Sequence, residues 1–144
     1  MDEQTRIDDK SRLVWEIVNQ GAAGRRLRGA DLRQTDLNGA DLSGADLSRA
    51  DLSLSDLSRA NLSRTDLSGA DLTQAGLGAA NLSGSNLAGA VLTQARLNRA
   101  DLRNAILAGA DLSHARLEDA DLTGADLRDA TLTGATMPDG EVHE

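Results

Sequence analysis

Leucine stands at every fifth position from Leu27 through Leu132 without a gap, and Met137 takes the next slot. Two residues before these positions lies a small side chain, from Ala30 through Ala135, exchanged only for Thr35, Ser55, Thr65 and Ser85. The unit reads Ala-Asp-Leu-Ser-Gly, as in Ala40-Asp41-Leu42-Ser43-Gly44. A period of five fits neither regular element. On an α-helix each step of five advances about 140° beyond a full turn, so the leucines would spiral around the axis and share no face. In a continuous strand an odd period sends alternate leucines to opposite faces.

A chain that turns at every unit satisfies the pattern, with Leu and the preceding small residue inward and the other three residues in solvent. Gly29, Gly39, Gly44, Gly69, Gly84, Gly89, Gly109, Gly124 and Gly134 fall second after Leu, where a corner with positive φ suits glycine. Arg49, Arg59, Arg64 and Arg99 fill the same slot elsewhere, which predicts corners of mixed turn type. With one Trp and no Phe or Tyr, the core must be built of Leu and Ala. Successive coils are expected to be spaced like paired strands, at about 4.8 Å.

These residues resemble the pentapeptide-repeat proteins, whose unit is close to Ala-Asp/Asn-Leu-x-x, over residues 27–137. The resemblance implies an all-β solenoid: a bacterial-type right-handed quadrilateral β-helix with four pentapeptides per coil, about five to six coils here. The column Gln34, Leu54, Gln74, Gln94 and His114 agrees with a twenty-residue coil, since stacked amides can ladder along one edge.

Three segments follow. Residues 1–26 form an N-terminal cap with a short α-helix, 27–137 the β-helix and 138–144 a tail. In the cap, Leu13, Val14, Trp15, Ile17 and Val18 supply the apolar face, Asp8, Asp9 or Ser11 an N-cap and Gly21 a stop. Leu13, Trp15, Ile17 and Val18 are expected to lid the first coil, with Trp15 as the largest buried surface. The tail Met137–Glu144 holds a turn signal but too few apolar residues for a helical lid. An open last coil then exposes its floor or pairs with a second copy, making the C-terminal end a candidate homodimer surface.

The chain has no cysteine, so no disulfide, thiolate metal site or Cys nucleophile is expected. The charged N-terminus carries no secretory signal and no apolar run approaches a membrane span, so the expected location is cytoplasmic. A net charge of −8, with ten arginines interspersed among fifteen acids over residues 27–137, argues against direct nucleic-acid or anionic-membrane binding.

Catalytic patterns are missing from the sequence. His114 and His143 have no metal-ligand spacing, and there is no Gly-x-Ser-x-Gly elbow or phosphate loop. Ser113 and His114 lie near Asp111 as neighbouring solvent-facing residues of a repeat. No enzyme, cofactor or metal is expected. Asp31, Asp51, Asp71 and Asp111 would share a column that could hold a hard cation. Local hydrogen bonds to the turns are the simpler role for the same carboxylates.

The resemblance also implies a runner-up function, since some members mimic B-form DNA and bind DNA gyrase, protecting or inhibiting the topoisomerase. Those rods carry an acidic face and frequent central Phe, whereas Arg96, Arg99, Arg103 and Arg116 interrupt any acidic stripe here. Thr73, Thr93 and Thr133 suggest an ice-binding column, broken by Arg33, Ser53 and Ser113. More telling is Leu72–Ala95, one coil without a charge, where Gly76 and Val91 replace the residue before Leu. The sequence therefore reads as a noncatalytic scaffold for an unidentified protein partner, with Leu54, Val91, Arg96, Arg99, Ile106 and Arg116 as candidate contacts.

Overall fold

The computed structural model describes residues 8–144, and the segment through Ile7 lies outside the described residues. The chain opens with helix α1, Asp9–Gln20. The Asp8 side chain caps it by accepting from the Ser11 N–H at 2.9 Å. Gly21 ends it at φ 73°, with its N–H on the Ile17 carbonyl.

Beyond α1 the chain winds into six stacked coils. Parallel bridges join residues twenty apart, which defines four faces. Before each leucine, face A stacks Arg26, Asp46, Asp66, Asn86, Ile106 and Asp126, and face B stacks Asp31, Asp51, Asp71, Val91, Asp111 and Thr131. Face C carries Asp36, Asp56, Gly76, Arg96, Arg116 and Thr136, and face D carries Asp41, Asn61, Asn81, Asp101 and Asp121. Each side is a single bridge wide, because a turn every five residues leaves no room for a longer strand. The Leu32 N–H donates to Asp51 O at 2.8 Å, the Gln34 N–H to Ser53 O at 2.9 Å, and the Asp51 N–H to Ala30 O at 3.0 Å. The winding starts at Ala22, which takes a leucine slot and donates to Asp41 O as Leu42 does to Asn61 O.

Inside, the leucines from Leu32 through Leu117 and the alanines of the middle coils are buried in one continuous core. Each buried leucine contributes on the order of 1.5–3 kcal/mol. The polar members of the small-residue series are satisfied within it. Ser55 and Ser85 hydroxyls donate to the carbonyls of Leu52 and Leu82, and the Thr65 hydroxyl reaches Leu42 O at 2.8 Å.

The structure corrects two expectations, for the corners and for the cap, and adds a pairing in the tail. The corners are uniform rather than mixed. Arg49, Leu54, Arg59, Gln74 and Arg99 hold φ of 56–61°, beside 63–73° for the corner glycines. From Gly24 through Asp119 each corner N–H donates to the next coil whatever its side chain, as Gly29 does to Ser48 O and Arg49 to Ser68 O, so the stack imposes one conformation. The cap is turned differently, too. Ile17 is fully buried, with Leu13 and Val14 packed against the core, while Trp15 is 57% exposed and Val18 is also exposed. Only one stripe of a helix lying on a coil can touch it, and Leu13 and Ile17, four apart, own that stripe.

Lastly, the tail is a hairpin. Pro138-Asp139-Gly140 turns the chain so that Val142 pairs antiparallel with Thr136, and His143 exchanges bonds with Gly134 and Ala135. This covers the last coil at face C and its neighbouring corner. Leu122, Leu127, Leu132 and Met137 remain only partly buried.

Candidate functional site

The aspartates of the repeat are committed to their own turns. Asp41, Asp46, Asp51, Asp56, Asp71 and Asp111 each accept the N–H two residues on through Oδ1, at 2.9–3.1 Å. Ser48, Ser53 and Ser113 add their hydroxyls to the same oxygens. These bonds hold the carboxyls of Asp46 and Asp111 below the usual carboxylate range, the serine hydroxyl acting most strongly and the backbone N–H next. At Asp101 and Asp126 the partner is an arginine two residues later, Arg103 or Arg128, whose guanidinium lowers Asp126 to about 2. Among the described residues no three carboxylates or histidines gather as metal ligands.

Face B illustrates the same economy. Its carboxylate column is broken at Val91 and Thr131, and Thr93 donates to Asp111 at 3.2 Å instead of belonging to a regular threonine array. Ser113 donates to Asp111 at 2.5 Å, so its proton is directed at a carboxylate and not at His114. On the neighbouring edge Gln74 donates to Gln94 at 2.8 Å, one rung of the anticipated amide ladder.

The departures stand out against this background. Gly76, Val91, Arg96, Ile106 and Arg116 have no carboxyl with which to cap their turns, so each puts another side chain, or none, on the outside. Face C collects three of them in consecutive coils. In its third coil Gly76, Gly78 and Ala79 project almost nothing, leaving a groove of about 470 Å³ lined with Ser58, Arg59, Asn98 and Arg99. The Arg96 guanidinium leans over Gly76 toward Asp56. A Cβ at Gly76 would lie 3.3 Å from Arg96 Nη2 and 3.4 Å from Asp56 Oδ1. Arg116 is held by Glu118 at 3.1 Å, and Asn98 binds the same carboxylate.

The candidate contacts thus do not converge on one point. Arg96, Arg99 and Arg116 share face C and its corner, Val91 adjoins Arg96 around the corner of Gln94, Ile106 lies on face A, and Leu54 sits lower on the edge between faces B and C. Leu54 is 50% exposed at φ 59°, an apolar side chain held outward in a left-handed corner. Sequence reasoning placed Trp15 and Val18 inside. They line instead a groove of about 560 Å³ between α1 and the Arg33–Thr35 corner. It also passed over Val142, for which the Pro138-Asp139-Gly140 turn was the available signal.

Among the described residues no helix is long and apolar enough to cross a membrane. A family model for pentapeptide repeats matches the chain in overlapping segments from 26–64 to 105–137, with 8 copies. No curated protein matches it. Solved structures do. HetL of the cyanobacterium Nostoc, described as involved in heterocyst differentiation regulation, is 44% identical with a TM-score of 0.67, over 85% of this chain and 61% of HetL. This chain therefore spans less than two thirds of HetL. Rfr23 of Cyanothece is 34% identical with a TM-score of 0.62, over 85% of this chain and 90% of its own. A protein of the Arabidopsis thaliana thylakoid lumen is 33% identical with a TM-score of 0.57, over 78% and 72%. The four-faced winding, the leucine ladder and these matches agree: the chain is a right-handed quadrilateral β-helix and belongs to the pentapeptide repeat family.

Proposed function

We propose that this protein is a noncatalytic interaction rod, and that a protein partner binds the girdle marked by Val91, Arg96, Arg99, Ile106 and Arg116 together with Leu54. One observation carries the reading. At Val91, Arg96, Ile106 and Arg116 the repeat gives up the turn cap that Asp or Asn supplies elsewhere and places apolar or cationic side chains on the surface in exchange. Leu54 supports it, because a non-glycine residue in a left-handed corner costs roughly 1–2 kcal/mol. Half of the outward leucine stays exposed, so its burial offsets only part of that cost. The partly covered last coil is a second contact surface, with another copy of the chain as its occupant.

Val91→Asp and Ile106→Asp restore the repeat and test the girdle directly. Each is expected to recover an Asx cap and raise stability by about 0.5–1 kcal/mol, while weakening capture of the partner from the source organism's extract. Capture at wild-type strength by the double variant would overturn the reading.

A further inference from the structure

On face C the third coil projects almost no side chains. Bridges stack Asp56, Gly76 and Arg96 in successive coils, so Gly76, Gly78 and Ala79 lie between a lower wall of Asp56, Ser58 and Arg59 and an upper wall of Arg96, Asn98 and Arg99. The slot between them measures about 470 Å³. Its walls stand two strand spacings apart, about 9–10 Å, which is the room an extended chain needs when it lies between two strands. Both walls end in an arginine on one corner column. Arg59 and Arg99 hold φ of 60° and 61°, so their side chains leave the corner alike, with only Ala79 between them.

Charge along this face balances in number but not in pairing. Over residues 36–39, 56–59, 76–79, 96–99 and 116–119, face C and its corner hold four arginines and four carboxylates. Asp36 accepts the Asn38 N–H at 3.0 Å, Arg116 holds Glu118 at 3.1 Å, and Arg96 turns toward Asp56 over Gly76. Arg99 only approaches Asp119, at 3.8 Å, with the two side chains 79% and 73% exposed. Among the described residues no carboxylate lies within 4 Å of the Arg59 guanidinium. About one positive charge therefore faces the slot without a partner.

We propose that the slot takes an extended protein segment bearing one Asp or Glu side chain, whose carboxylate is clamped between Arg59 and Arg99 over Ala79. Each guanidinium presents N–H donors in a planar fork that matches a carboxylate. Ser58 and Asn98, facing each other across the floor of Gly78, offer polar groups to the backbone of the segment. A single carboxylate balances the unpaired charge, whereas a polyanion would meet the other acids of a chain with net charge −8. The inference rests on the reading of the rod as an interaction scaffold and names the chemistry that its partner brings.

Nuclear magnetic resonance of the arginine Nε–H groups tests it on the intact chain, with the peptide acetyl-Ser-Ala-Glu-Ala-Ser amide as probe. The Arg59 and Arg99 signals should shift and saturate in the millimolar range, while Arg64, on another corner, stays still. The same peptide with Gln for Glu should bind at least about tenfold more weakly. Gly78→Asn fills the slot with the side chain that Asn38 and Asn98 carry at the same place in their coils. A Cβ there meets nothing closer than 3.9 Å, so melting should hold while binding falls at least about tenfold. Arg59→Gln should do the same without touching the floor. No saturable shift up to about 20 mM overturns the proposal, as does equal binding by Gly78→Asn. Inorganic phosphate binding at Arg59 and Arg99 as tightly as the peptide also overturns it, since the slot would then hold a small anion only. Val91→Asp should leave peptide binding intact. Loss of partner capture by Val91→Asp and Ile106→Asp, with no peptide bound, would sink the slot and leave the girdle standing.

Discussion

The end under α1 and the end formed by Leu122–Met137 are built on the same repeat, yet Leu32 near the first is fully buried while Leu122, Leu127 and Leu132 at the second are half-covered. Their leucines are identical; their neighbours are not. At the closed end Ile17 plugs the coil, Lys10 reaches Asp31 at 3.1 Å, and Glu16 pairs with Arg25. At the open end a hairpin pairs along one side only. In a solenoid a unit is as stable as the surfaces stacked upon it, so burial and charge at the ends decide what the rod does next.

Acid should give the largest response, because it reaches the turn caps of both ends at once. Arg33, with help from Lys10, holds Asp31 far below the usual carboxylate range, and Arg128 holds Asp126 at about 2. Depressed carboxyls stabilise the fold fully above their unfolded pKa of about 3.9 and lose that contribution as pH falls through the folded values. The rod should therefore hold its melting temperature down to about pH 4 and lose it progressively toward pH 2, with the last coil failing before α1 detaches. A flat melting profile to pH 2 would remove these carboxylates from the account.

Core truncations come next. Leu72→Ala in the third coil should cost about 2–5 kcal/mol, and Leu132→Ala in the last coil less than half of that, by denaturant titration. Ile17→Ala should behave like Leu72→Ala, whereas Trp15→Ser should stay within about 0.5 kcal/mol of the parent. Equal losses at Ile17 and Trp15 would return the tryptophan to the core. Smaller still is the effect of relieving the edge: Leu54→Gly should raise stability by about 1 kcal/mol, since glycine accepts φ 59° without strain.

The leucine ladder was legible because inward side chains see the same surroundings in every coil, so a five-residue period is enough to assign them. The uncharged girdle and the exposure of Leu54, Val91 and Ile106 followed from the same outward positions. What escaped was set by contacts between coils. Arg59 has no intrinsic preference for a left-handed corner, and it adopts one because its N–H must reach Gly78 O at 2.9 Å. The orientation of α1 escaped for a related reason. Five apolar residues within Leu13–Val18 span more than one face, and only the first coil decides which face is covered. The hairpin depended on Pro138 directing seven tail residues back onto Gly134–Thr136, a pairing with no apolar pattern to announce it.

Amide hydrogen exchange, resolved by residue in dilute solution, tests the difference between the ends most directly. Leu52, Leu72 and Leu92 should exchange only on global unfolding, while Leu122, Leu127 and Leu132 exchange fast and Gly134 and Met137, held by His143 and Glu141, stay protected. Protection at Leu122, Leu127 and Leu132 equal to that of Leu72 would contradict an open last coil.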